Sequence, residues 1–142
     1  MKYAVAAVIQ KGDKVLLARR SMKSRGQPGK WENAGGEVDE GETTEQAIVR
    51  EIKEELGVVF TIEKILLEGD FKNTDSDWHV IVYGGSIVGT PKPMILEETS
   101  EVKWFNIDEL KNVDLASYTR IDFQKFGWIK SSKQAQETSG LS

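Results

Sequence analysis

GEVDEGETTEQAIVREIKEELGV, residues 36–58, decides the fold. It opens on glycines and an acidic turn and then takes on helical character. Thr43 with Gln46 three residues later fits a capping box, in which each side chain satisfies an orphan N–H of the other's backbone. Gly57 stands where a left-handed C-cap is expected. The spacing therefore predicts a helix over residues 44–56. At about 100° per residue, Ile48, Val49, Ile52 and Leu56 share one face and Glu51, Glu54 and Glu55 another. Like charges at i, i+3 and i+4 repel by a few tenths of a kcal/mol per pair on an exposed helix. Arg50 lies beside the acid face and neutralises part of that charge. A divalent cation is the natural partner for the rest, and the Gly35 carbonyl is a further oxygen for it. The bland alternative is a solvated acidic face. The glycines before the helix, the additional Glu42 and a basic loop just upstream argue for the metal.

The whole chain sets the limits. It has 142 residues, 39% hydrophobic and 30% charged, with a formal net charge of -4. This is expected to be one domain over residues 1–130 followed by a polar, disordered tail over 131–142. The acidic balance argues against a nucleic-acid polymer as partner. Without cysteine there is no thiol nucleophile, disulfide or thiolate metal site. One histidine excludes a multi-histidine centre, so a metal here sits on oxygen: Mg²⁺, with Mn²⁺ or Ca²⁺ as alternatives. The longest apolar run, near residues 3–9, is too short to span a bilayer. No membrane association and a cytoplasmic location are expected.

Outward from the helix, residues 3–9 and 15–18 read as strands joined by a turn at Gly12-Asp13. Residues 19–30 form a loop bearing Arg19, Arg20, Lys23, Arg25 and Lys30. Arg20 and Arg25 are the candidates for substrate phosphate, because guanidinium binds oxygens in pairs. Residues 31–33 read as a short strand broken by Gly35-Gly36. Beyond the helix, residues 58–71 read as one long strand or two short ones, and 72–77 as a turn. Residues 78–88 read as a strand interrupted at Gly84-Gly85 by a bulge or a close backbone approach. A loop over 89–99, a strand over 101–105, a short capped helix over 106–110 and a final helix over 115–129 complete the chain. Strands alternating with helices predict an α/β fold with a mixed sheet between helices.

Gly36, Glu42, Arg50-Glu51-Ile52, Glu54-Glu55 and Gly57-Val58 match every fixed position of the Nudix hydrolase signature. The chain resembles that family over about residues 3–129. The resemblance implies an α/β/α sandwich that hydrolyses a nucleoside diphosphate linked to another group, usually with Mg²⁺. It implies metal ligation by Glu51, Glu54 and Glu55 with the Gly35 carbonyl. Arg50 would orient the glutamates, and Glu42 would lie near the metal or pair with Arg50. A carboxylate takes the proton of the attacking water, Glu54 first and Glu51 second. In some relatives a loop acid does so, for which Glu97, Glu98 and Glu101 are available.

Size, the LLARR strand, the W-x-x-x-G-G stretch and the late WFNIDEL segment are most similar to the MutT-like nucleoside triphosphate pyrophosphohydrolases. One departure stands out: Asn33-Ala34-Gly35-Gly36 replaces the usual Pro-Gly-Gly, so Asn33 either bonds a ligand or stabilises the turn. Markers of the ADP-ribose and diadenosine-polyphosphate types are absent around residues 73–75. The expected reaction is metal-dependent release of nucleoside monophosphate and pyrophosphate from a (d)NTP. ADP-ribose or nucleotide-sugar hydrolysis is the alternative, and a non-catalytic nucleotide-binding module a third. Trp78, Tyr83, Trp104, Phe105, Tyr118 and Trp128 are available to stack on a base, and Asp114, Ser117, Tyr118 and Asp122 to read its edge. His79 is expected to be structural. A homodimer is common among relatives.

Overall fold

The computed structural model describes residues 1–72 and 75–131; the expected tail lies outside them except for Ser131. Seven strands form one mixed sheet: β1 (Lys2–Lys11), β2 (Lys14–Arg20), β3 (Trp31–Glu32), β4 (Gly35–Glu37), β5 (Val59–Lys72), β6 (Asp77–Val88) and β7 (Thr99–Asn106). The helices are α1 (Thr44–Leu56), a 3₁₀-helix (Ile107–Asn112) and α2 (Ser117–Lys125).

Strand alternation builds the sandwich, because successive side chains point to opposite faces. Val5, Ala7 and Ile9 of β1 pack with Leu16, Ile81, Tyr83 and the Ile48, Ile52, Leu56 face of α1. Val8 packs on the other side with Val15, Leu17, Val82, Leu110 and Phe123. Ile48, Ile52 and Leu56 are at most 1% exposed. Each such side chain contributes about 1.5–3 kcal/mol by burial, which anchors α1 far more firmly than its caps do. Both caps form as the spacing predicts. Gln46 N–H donates to Thr43 Oγ1 at 3.0 Å and Thr43 N–H to Gln46 Oε1 at 2.9 Å. Gly57 closes the helix at φ 70°.

The sheet forks. β1 pairs antiparallel with β2 only at Ile9, Gln10 and Lys11, and with β4 at Ala4, Val5 and Ala6. Its other edge runs parallel to β6. β2 continues away from the fork between β3 and β7. The chain crosses from one arm to the other at Asn33-Ala34, where Ala7 N–H donates to the Ala34 carbonyl at 2.9 Å.

Some elements differ from the sequence reading, and others resolve its open alternatives. Gly35 and Gly36 do not end a strand; they form β4. A Cβ on Gly35 would stand 2.0 Å from the Val5 carbonyl, so the missing side chain is what lets β4 lie flush on β1. Residues 58–71 make a single long strand, with register shifts between Ile62 and Lys64 and between Ile65 and Leu67. β6 runs through Gly84-Gly85 unbroken; the close-approach reading holds, with the Thr61 carbonyl 2.0 Å from where a Gly85 Cβ would be. The final helix covers only Ser117–Lys125. Leu115 instead bridges to Trp31, and Gly127 at φ 81° turns the chain back so that Trp128 N–H bonds the Phe123 carbonyl.

Candidate active site

β4 and α1 build the acidic centre between them. The bonds Ala7 N–H to Ala34 and Val38 N–H to Tyr3 set the antiparallel alternation along β4. Gly35 and Glu37 are consequently the positions whose backbone groups point away from β1, toward α1. Gly35 N–H donates to the Glu55 carboxylate, and the Glu37 carbonyl accepts from Arg50 at 3.2 Å. The Gly35 carbonyl lies on this same edge. A Cβ on Gly36 would stand 2.5 Å from the Glu51 carboxyl carbon, so the glycine is needed for Glu51 to sit there.

Arg50 is the hub. Its Nε and one terminal nitrogen hold the two Glu42 oxygens at 2.7 and 3.0 Å. The other terminal nitrogen reaches Glu51 at 2.9 Å and Glu54 at 3.1 Å. The Glu42 bond, then the bonds to Glu51, hold the guanidinium charged well beyond the range of any ordinary pH. The same bond keeps the Glu42 carboxyl below the usual carboxylate range. Glu51 moves the other way: burial raises it, and Arg50 only partly offsets this. Glu55 is pushed up to about 8, by burial first and then by Glu51, Glu32 and Glu98. Three glutamate carboxylates thus gather on Arg50, and Glu55 beside Glu51 is the carboxyl whose ionised form burial and acidic neighbours most disfavour.

The metal expected here fits this donor set. The oxygens are hard, the acids are under-neutralised, and a backbone carbonyl faces them. The side chains as placed are drawn to Arg50 rather than around an ion, and no group of three or more Asp, Glu, His or Cys among the described residues stands in metal-holding geometry.

A cleft of about 900 Å³ opens from Gly35, Gly36 and Glu55 across the α2 face of the sheet. Val80 and Val82 form part of its floor, Leu67 and Phe71 one wall, and Tyr118 and Asp122 of α2 the other. Arg20 lines it but is engaged: Nη1 reaches Glu32 at 3.1 Å and Tyr118 Oη at 3.3 Å, and Nε reaches the Gly26 carbonyl. Arg25 is exposed on the loop and outside the cleft. Lys30 pairs with Asp114, and Arg19 with Glu101. The basic loop is therefore largely stapled to the protein. Asn33 lines the cleft, is 6% exposed, and has both carboxamide atoms buried without a hydrogen-bond partner. Glu97 and Glu98 also line the cleft.

The sequence reading missed Glu32 and Phe71. Glu32 alternates outward from Trp31, which packs on Phe105, and that alternation was the available signal. Of the aromatic candidates, Tyr118 reaches the cleft, whereas Phe105 and Trp128 are core and Tyr83 bonds Thr44 beneath α1. His79 is held between Asp70 and Glu68, which raises its pKa. Among the described residues no helix is long and apolar enough to cross a membrane.

Asp122 offers a pH signature. Burial lifts its carboxyl to about 6, with Lys125 offsetting part of the shift. The folded state then holds a proton that the unfolded chain releases near pH 4, so stability falls as pH rises between those values. Asp122→Asn is expected to melt about 3 °C above the wild type at pH 7.5 and together with it at pH 4. Melting curves at the two pH values check this.

The NUDIX domain model matches residues 1–124. The chain belongs to the Nudix family. Its relatives include the CTP pyrophosphohydrolase of Escherichia coli, 50% identical over 58 residues, covering 41% of this chain and 42% of that protein. The ADP-ribose pyrophosphatase of Methanocaldococcus jannaschii is 34% identical over 116 residues, covering 75% and 63%. Among solved structures, a MutT Nudix hydrolase from Burkholderia pseudomallei superposes with a TM-score of 0.77 at 29% identity, covering 87% of this chain and 95% of that one. The matches span 30–42% of the length of the first three curated relatives. The Nudix fold, a mixed sheet with helices, and membership of a pyrophosphohydrolase family agree with the sequence reading.

Proposed function

We propose that this chain is a divalent-metal-dependent nucleoside triphosphate pyrophosphohydrolase releasing nucleoside monophosphate and pyrophosphate. One observation carries the reading: Gly36, against which Glu51 sits, and Glu55, which feels the charge of Glu51, line a cleft of a size suited to a nucleotide beside the Arg50-held carboxylates. Glu51, Glu54, Glu55 and the Gly35 carbonyl would hold the ion, Mg²⁺ or Mn²⁺. When bound, it neutralises diphosphate charge and acidifies a water.

The remaining work falls to the chain. Arg50 holds Glu51 and Glu54 in place and offsets part of the burial that disfavours the charge on Glu51. Glu54 has an exposed side chain (53%) and is anchored on one oxygen, which leaves the other to accept the proton of the attacking water. Glu98 and Glu97 line the cleft with Glu55 and supply the loop alternative. Asn33, with an unpartnered donor and acceptor, is the substrate contact best supported by its surroundings, ahead of the engaged Arg20 and the remote Arg25. The apolar floor and Phe71 suit a base. The Escherichia coli relative puts CTP first among substrates to test.

The experiment is a panel of the eight common (d)NTPs, ADP-ribose and nucleotide sugars with Mg²⁺ or Mn²⁺, scored by phosphate products. Pyrophosphate plus monophosphate is expected; two phosphomonoesters would move the substrate to the ADP-ribose or nucleotide-sugar class. Glu54→Gln is expected to lower kcat about 10²–10⁴-fold with KM little changed. No turnover of any compound would leave a binding module.

A further inference from the structure

Gln27 is the non-glycine residue with positive φ among the described residues, at 46°. A side chain in the left-handed region is sustained only where its surroundings compensate. Here the compensation is visible. Gln27 Oε1 accepts from Ser117 N–H at 2.6 Å, and Gln27 Nε2 donates to Ser117 Oγ at 2.8 Å. Ser117 is the first residue of α2, whose own N-cap, Ala116, makes no side-chain cap bond. The helix is capped by a residue ninety positions away in sequence, from a stretch whose Arg20 and Ser24 line the cleft. Two further ties run in parallel: Lys30 to Asp114 at 2.7 Å, and Tyr118 Oη to Glu32 and Arg20.

α2 presents Tyr118, Ile121, Asp122 and Lys125, spaced i, i+3, i+4 and i+7, to the cleft, while Thr119 and Phe123 anchor its other side. It has only nine residues, so its stability depends on tertiary contacts. Water could satisfy the Ser117 N–H at this exposed position. A strained glutamine is therefore not needed for hydrogen bonding alone, but it does fix where the helix starts.

We infer that Gln27 is a positioning residue: through Ser117 it latches the 20–30 loop to α2 and so sets the width of the nucleotide cleft. The inference rests on the reading of that cleft as a nucleotide site. It assigns the loop a role in substrate discrimination that is separate from phosphate binding.

The test uses the full chain with Gln27→Ala and Gln27→Glu. Glutamate keeps both contacts, accepting from the Ser117 N–H and from its hydroxyl. Steady-state rates are measured with CTP and GTP under Mg²⁺, and hydrogen exchange of α2 and α1 without ligand. Gln27→Ala should raise KM for the preferred nucleotide about fivefold with kcat within about twofold, and narrow the CTP-to-GTP ratio of kcat/KM. Exchange should quicken in α2 and not in α1, and Gln27→Glu should restore both readouts. Unchanged α2 exchange, or equal losses in kcat and kcat/KM, would overturn the inference. Absence of hydrolysis in the wild type would defeat the functional reading instead, while the exchange data would still decide the latch.

Discussion

Arg50→Ala is expected to lower the melting temperature by several degrees and to abolish measurable hydrolysis, although Arg50 need not touch the substrate. The stability loss follows from what remains. Glu42 and Glu51 have side chains only 15% and 14% exposed, and both depend on this guanidinium. Removing the guanidinium leaves these partly desolvated carboxylates repelling one another with no shared counter-charge. The activity loss follows from geometry, since one terminal nitrogen sets the spacing of Glu51 and Glu54. Lysine should recover little, because a single ammonium cannot serve Nε and both terminal positions at once. The signature of this arrangement is rescue by ions: millimolar Mg²⁺ should raise the melting temperature of Arg50→Ala more than that of the wild type. Thermal melts with EDTA and with Mg²⁺ measure it, and equal shifts would count against carboxylates that share a cation.

Glu55→Gln should separate stability from chemistry in the opposite sense. Burial and three neighbouring carboxylates disfavour ionised Glu55. A neutral isostere removes that cost, so the metal-free variant should melt a few degrees above the wild type. On the proposed function it would also give up a ligand charge at the cleft. The expected cost is a fall of about 10²–10⁴-fold in kcat/KM and a smaller Mg²⁺-induced rise in melting temperature. A variant that was both less stable and fully active would remove Glu55 from the metal site. Energy stored in an unfavourable carboxylate and released on cation binding is a common cost of function.

Much of this centre was legible because α1 is local. Thr43, Gln46 and Gly57 set its ends, and its two faces are written at helical period. Elsewhere the deciding contacts are remote in sequence. Gly35-Gly36 read as a break because glycine marks breaks; only β1, some thirty residues upstream, makes them a strand. The last helix read too long because Leu115 and Phe126 are apolar, yet they pack from flanking turns. Arg20 read as a phosphate ligand because its partners Glu32 and Tyr118 arrive from two other elements. Glu55 read as one more acid on a face, while its raised pKa comes from burial and from Glu32 and Glu98 beyond the helix.

The fork in the sheet separates two kinds of inheritance. β4 and α1, which carry the acids, hang on the first half of β1. β2, β3 and the 20–30 loop, which meet α2, leave from its far end. The arms meet at the crossing at Asn33-Ala34, along the strand between them, and where Leu16 packs under α1 and Glu32 faces Glu55. Substitutions confined to the 20–30 loop and α2 fall outside the core on which α1 packs. On the proposed function, a lineage built on this plan could change its diet of nucleotides while its hydrolytic chemistry stays still.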